Sequence, residues 1–181
     1  MDWLQGLRET GAEPWEPVGT GSFAAASLGF AGLMVVAATV QDGWIPLLDG
    51  VNLVFHEAGH PIFGLFGSET LGFLGGTLMQ LLVPVIVGGA FWRKRQALGA
   101  AVAALWAGEN GLNIARYMAD ARSQLLPLVG GGEHDWATLF GQWGCLARDT
   151  AIAGAVRAAG WMVMLGAWAW LAWRWRRSRQ A

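Results

Sequence analysis

The chain has 181 residues, of which 54% are hydrophobic and 14% charged, and its formal net charge is −1. That composition is too apolar for an ordinary soluble domain and points to an all-α integral membrane protein whose first partner is the lipid bilayer. The near-zero charge offers no basic face for nucleic acid, and the single cysteine, Cys145, excludes both a disulfide framework and a Cys-type zinc site.

Residues 1–21 carry Asp2, Glu9, Glu13 and Glu16 against Arg8 alone and read as an extramembrane tail. Residues 22–40 form an uncharged run of about 28 Å as a helix, enough to span a bilayer core. After a short turn at Gln41–Gly43, residues 44–66 make a second apolar segment, interrupted by Asp49, Asn52, His56 and His60. These four are spaced three or four apart and fall on one helical stripe, with Glu57 beside it. Pro61 removes the hydrogen bond to the carbonyl of Glu57, which favours a kink and a wet pocket at that depth.

A third span is expected over 71–92, where Gly72, Gly75 and Gly76 allow close helix approach and Thr77 and Gln80 supply hydrogen-bonding groups. Arg93, Lys94 and Arg95 end it. The fourth, 97–121, carries a polar stripe of Glu109, Asn113, Arg116 and Asp120, flanked by Asn110 and Tyr117. Residues 122–149 are a long connection holding Glu133, His134 and Asp135. A fifth span, 150–173, runs into Arg174, Arg176, Arg177 and Arg179. The expectation is therefore one helical membrane domain, 22–175, of about five transmembrane helices, with a basic tail at 176–181.

Both basic clusters belong on the cytoplasmic side of the membrane. Five spans then put the N-terminus outside. If the second segment instead re-enters from one side, the N-terminus is inside.

The chemistry concentrates at His56-Glu57-x-x-His60. On a helix the imidazoles at i and i+4 share a face and can ligate one Zn²⁺, and the Glu between them is placed as general base toward the attacking water. Zinc used in catalysis keeps three protein ligands, and the third is open between Asp120, at matching depth on the fourth helix, and His134, the only other histidine available. The bland alternatives are an ion pair of Asp120 with Arg116, four residues earlier, and an interfacial loop position for His134. Glu109 and Asp135 are weaker candidates for the metal. Asn113 suits a hydrogen bond to substrate or an oxyanion, and Asp49 a supporting contact.

HEAGH at 56–60 and, more loosely, NIARYMAD at 113–120 resemble the site-2 protease class of intramembrane zinc metallopeptidases. In that class the third ligand is an Asp on a later helix, within an Asn-x-x-Pro motif ending in Asp-Gly; here Arg116 stands in place of the Pro and Ala121 in place of the Gly. The segment 44–140 is also similar to small bacterial membrane proteins that share an HEAGH segment, a GGTLMQLLVP helix, a Y-x-x-DAR stretch and a GGGEHDW loop. The resemblance implies a place in a bacterial inner membrane, His56 and His60 as zinc ligands, Glu57 as general base, and membership of His134 and Asp135 in the site.

The function expected is a zinc-dependent hydrolase in the membrane, acting on a peptide or membrane-protein substrate. A non-catalytic metal-binding or scaffold protein is the alternative reading. An ion transporter draws on the same intramembrane histidines and acids, but no internal repeat supports it.

Overall fold

The computed structural model describes residues 14–129 and 132–180, and no strand occurs among the described residues. The helices are α1 (Thr20–Thr39), α2 (Pro46–Gly64), α3 (Glu69–Arg93), α4 (Ala97–Ala119), the short α5 (Asp135–Gln142) and α6 (Asp149–Ser178), with a 3-10 turn at Leu146–Arg148 ahead of α6. By length and composition α1, α3 and the segment Leu146–Ser178 can cross a membrane. The remaining long helices, α2 and α4, carry the two polar stripes.

Polarity is distributed from the inside outward. Asp49, Asn52, His56, Thr77, Gln80, Glu109 and Asn110 are buried, while Leu28, Val54, Ile86 and Met162 are exposed. An exterior of large apolar side chains around a core that encloses buried polar groups suits a lipid surround.

Small residues let the backbones touch. A Cβ at Gly108 would lie 2.8 Å from the carbonyl oxygen of Gly160, and one at Gly160 would lie 2.7 Å from that of Gly108, so α4 and α6 meet main chain to main chain. Gly59 of α2 and Gly75 of α3 make the same kind of crossing.

One end of the bundle is basic and aromatic. Trp15 packs against Trp92 and Trp170 and lies under the guanidinium groups of Arg95 and Arg174. The Glu16 amide donates to the Arg95 carbonyl (3.0 Å), and the Val18 amide to Ser178 Oγ (2.9 Å). The start of α1 therefore lies beside the α3–α4 turn and the end of α6. This differs from the five-span expectation, which put the N-terminal side opposite both basic clusters. The cause is this tryptophan and arginine packing, whereas the Gln41–Gly43 turn carries no basic residue by which the sequence could fix the side.

Trp175 Nε1 to Thr20 Oγ1 (3.4 Å) and Trp168 Nε1 to Ser27 Oγ (3.0 Å) run α1 antiparallel to α6, toward the other end. Both turns that flank α2 are found there. Asp42 meets Arg116 near the end of α4, and Thr70 meets Gln142 of α5. Between them the chain doubles back, because Asn52, early in α2, reaches Glu109 in the middle of α4.

The first thirteen residues of the expected tail lie outside the described residues. Residues 14–19 are docked, and α6 continues into the expected C-terminal tail as far as Ser178.

A candidate metal centre

Helix α2 starts at Pro46, whose missing N–H costs nothing in a first turn, and the Asp49 carboxylate accepts the Ile45 amide at 2.6 Å. Asn52 then fixes this helix to α4. Its amide donates to Asp49 Oδ1 (3.3 Å) and Glu109 Oε2 (2.8 Å), and its carbonyl accepts Trp106 Nε1 (2.8 Å). Buried polar groups at this depth need partners, and here each supplies the others'. His56 stands one turn above that junction.

The His56 ring is seated on Gly76 of α3, where a Cβ would come within 2.6 Å of the ring. Its Nδ1 lies 3.3 Å from Gln80 Oε1, and Gln80 Nε2 in turn donates to Asn113 Oδ1 at 2.9 Å. His60 Nδ1 lies 2.8 Å from the Gly72 carbonyl. A carbonyl oxygen only accepts, so His60 carries its proton on Nδ1. The orientation of Gln80, set by its bond to Asn113, imposes the same on His56. Both Nε2 atoms therefore face inward while an oxygen holds each ring from behind, as ligating histidines are commonly held.

They face one oxygen. Asp135 Oδ2 is 2.9 Å from His56 Nε2 and 3.4 Å from His60 Nε2. Asp135 opens α5, which docks on α4 by burying Trp136, Leu139 and Phe140 against Ile114, Met118 and Ala121. Its amide donates to the Tyr117 hydroxyl at 3.2 Å. Burial pushes the Asp135 carboxyl up, yet His56 and His60, when they also carry a proton on Nε2, donate to it, outweigh burial and hold the group below the usual range.

Two nitrogen lone pairs and a carboxylate oxygen at such spacings require positive charge among them, as protons or as a metal ion. Zinc–ligand bonds of about 2.0–2.1 Å in a tetrahedron separate the ligand atoms by roughly 3.3 Å, which the two distances bracket. Glu57 completes the group: one ligand atom each from His56, Glu57 and His60 lie within 4.8 Å of one another. The donor set fits Zn²⁺.

The other expected ligands lie elsewhere. His134 is fully buried; its Nδ1 accepts the Ala137 amide (3.3 Å) as the cap of α5, and its ring stacks on Tyr117. Its Nε2 is 3.4 Å from Asp120 Oδ2, without the alignment of a hydrogen bond. Burial lowers the His134 pKa, although Asp120 and Asp135 oppose this. Asp120 follows the end of α4, where it accepts Ser123 Oγ (2.6 Å) and the amides of Leu125 and Leu126 (3.0 Å each). It makes no ion pair with Arg116 among the described residues.

Asn113 spends its oxygen on Gln80 and lines the cavity. Glu109 and Asp49 belong to the Asn52 junction below. Sequence reasoning ranked Asp135 low as a metal ligand, although the resemblance put it with His134 in the site, and it named Gln80 only as a hydrogen-bonding group and Gly76 only as a packing glycine. The adjacency of Asp135 to a helix-capping histidine was the available signal.

The cavity above the histidines has a volume of about 1150 Å³ and is lined by polar groups, including Glu57, Asn113 and Arg116, and by apolar ones, including Leu53, Phe73 and Leu126. Comparison of the chain with protein-family models, with characterised proteins and with solved structures returned no match.

Proposed function

We propose that this protein is a membrane-embedded zinc-dependent hydrolase, most simply a metallopeptidase related in chemistry to the site-2 protease class, with His56, His60 and Asp135 as the metal ligands. The observation that carries the reading is the convergence of both histidine Nε2 atoms on Asp135 Oδ2, with each Nδ1 held from behind by an oxygen. Bound zinc would supply Lewis acidity toward a carbonyl and a nucleophilic water at neutral pH. Glu57, half-buried and beside both histidines, takes the proton from the attacking water and returns it to the leaving nitrogen. Asn113 lines the same cavity, where its amide stabilises negative charge on the substrate oxygen. Asp135 replaces Asp120 and His134 as third ligand in this reading, since Asp120 is taken by Ser123 and two amides and His134 caps α5.

The same reading gives four crossings, α1, α3, α4 and α6, with α2 re-entering from the side that holds α5. It is supported by the docking of residues 14–19 on the basic end and by both turns of α2 lying at the opposite end.

The test is zinc content together with hydrolysis. Protein extracted without chelator should hold one zinc per chain. Glu57→Gln should keep that zinc and lose peptide hydrolysis by about 10²–10⁴-fold, and Asp135→Asn should lose zinc. Full zinc occupancy in Asp135→Asn removes Asp135 from the ligand set. Undiminished hydrolysis in Glu57→Gln ends the hydrolase reading in favour of a metal-binding scaffold.

A further inference from the structure

The cavity holds one cation that the proposed chemistry does not use. Arg116 of α4 is half-buried and lines the same cavity as His56, Glu57 and His60. Its Nε donates to the Asp42 carbonyl at 2.6 Å, and its guanidinium lies over the Trp44 ring at 5.5 Å. Its aliphatic arm rests on Gly43, where a Cβ would stand 3.2 Å from Arg116 Cδ. The side chain is thus held in one pose by neutral groups.

No carboxylate forms an ion pair with it among the described residues. Asp120, at the helical spacing that favours such a pair, is taken by Ser123 and two amides, and the Asp42 carboxylate accepts the Trp44 amide instead. Arg122, at the same end of the bundle, has its partner: Nη2 is 2.8 Å from Asp149 Oδ1. An arginine does not shed its proton. An unpaired one on a membrane helix is expensive unless it faces a cavity that brings the counter-charge. The Nη groups of Arg116 remain as a fork that matches a carboxylate.

We infer that Arg116 binds a carboxylate of the substrate, and that the substrate class is a peptide with a free C-terminus lying in this cavity. The inference rests on the cavity being the substrate site of the proposed hydrolase. A carboxylate is favoured over a doubly charged phosphomonoester because Glu57, Glu69, Glu133 and Asp135 line the same space and repel the second negative charge; a lipid phosphodiester carries the same single charge, and the phosphatidylglycerol arm of the experiment separates it. The apolar lining at Leu53, Phe73 and Leu126 receives the rest of the chain.

The experiment measures binding rather than turnover. Glu57→Gln protein in phosphatidylcholine nanodiscs is titrated calorimetrically with an N-acetylated apolar pentapeptide, as the free acid and as the C-terminal amide, zinc-loaded and chelator-stripped. The acid should bind at least tenfold tighter than the amide in both forms. Adding Arg116→Gln or Arg116→Met, the latter keeping the arm on Gly43 and Trp44, should reduce the acid to the affinity of the amide and leave the amide unchanged.

Equal affinity of acid and amide in the stripped protein carrying Arg116 overturns the inference, and needs no further variant to fold. So does a preference that persists without Arg116 or that requires zinc, since the carboxylate is then on the metal. A preference that disappears when the nanodiscs contain phosphatidylglycerol overturns it as well and makes a lipid headgroup the occupant. If the protein holds no zinc but the acid preference stands, the hydrolase reading fails and the carboxylate site survives.

Discussion

Gly76 is the small residue whose replacement reads most directly on the centre. A methyl there would sit 2.6 Å from His56 Nε2 and Cε1, whereas ordinary contact begins near 3.4 Å, so the ring must move by roughly 0.8 Å. The ring has nowhere neutral to go, because Nδ1 is held by Gln80 and Nε2 faces Asp135. Breaking the bond to Gln80 alone is worth about 10–100-fold in metal affinity, or ~1.4–2.8 kcal/mol. Gly76→Ala should therefore bind zinc 10–100-fold more weakly in a chelator-competition assay. Gly72→Ala is the control: it lies one turn earlier on the same helix, with open space around its Cβ position, and should bind zinc as the unsubstituted protein does. A zinc affinity for Gly76→Ala within twofold of the unsubstituted protein would refute the seating of His56 on α3. An equal loss in Gly72→Ala would show that any added bulk on this face acts nonspecifically.

His134→Ala removes the cap of α5 and leaves a cavity, and should cost about 1–2 kcal/mol of stability. Thermal melting should register that loss while zinc stoichiometry stays at one; loss of zinc with unchanged melting would return His134 to the ligand set. Reporters fused to the two termini should be active on the same side of the membrane, and activity on opposite sides would restore the five-span arrangement.

Much of this was legible in sequence for a specific reason. The stripe of Asp49, Asn52, His56 and His60 is set by helical spacing alone, and it faces inward because nothing outside the bundle can satisfy it. The inward face of α4 was legible in the same way through Glu109 and Asn113. Whether Asp120 or Asp135 comes nearer the histidines depends on where α5 docks, and that is decided by Trp136, Leu139 and Phe140, whose spacing suggests an amphipathic helix without naming the surface it covers. Gly72, Gly75 and Gly76 of α3 looked alike in sequence, yet Gly75 admits a neighbouring backbone, Gly76 seats a ring, and Gly72 offers its carbonyl to His60. Spacing cannot separate those roles, because they belong to the partner helix. The end of the bundle at which α1 starts was illegible for a similar reason, since Trp15, just ahead of it, packs on Trp92 and Trp170, far along the chain.

The delivery of Asp135 by the one short helix that spans nothing has a consequence for assembly. Two of the proposed ligands are set when α2 and α3 pair, but the third arrives only after α4 has been made and α5 has folded onto it. A metal ion bridging the three would fasten an extramembrane segment to the bundle as a removable staple, so its affinity includes the free energy of holding α5 down. Chelation should then do more than empty a site: it should weaken the packing of α5 on α4, and the melting temperature of the protein would follow metal occupancy.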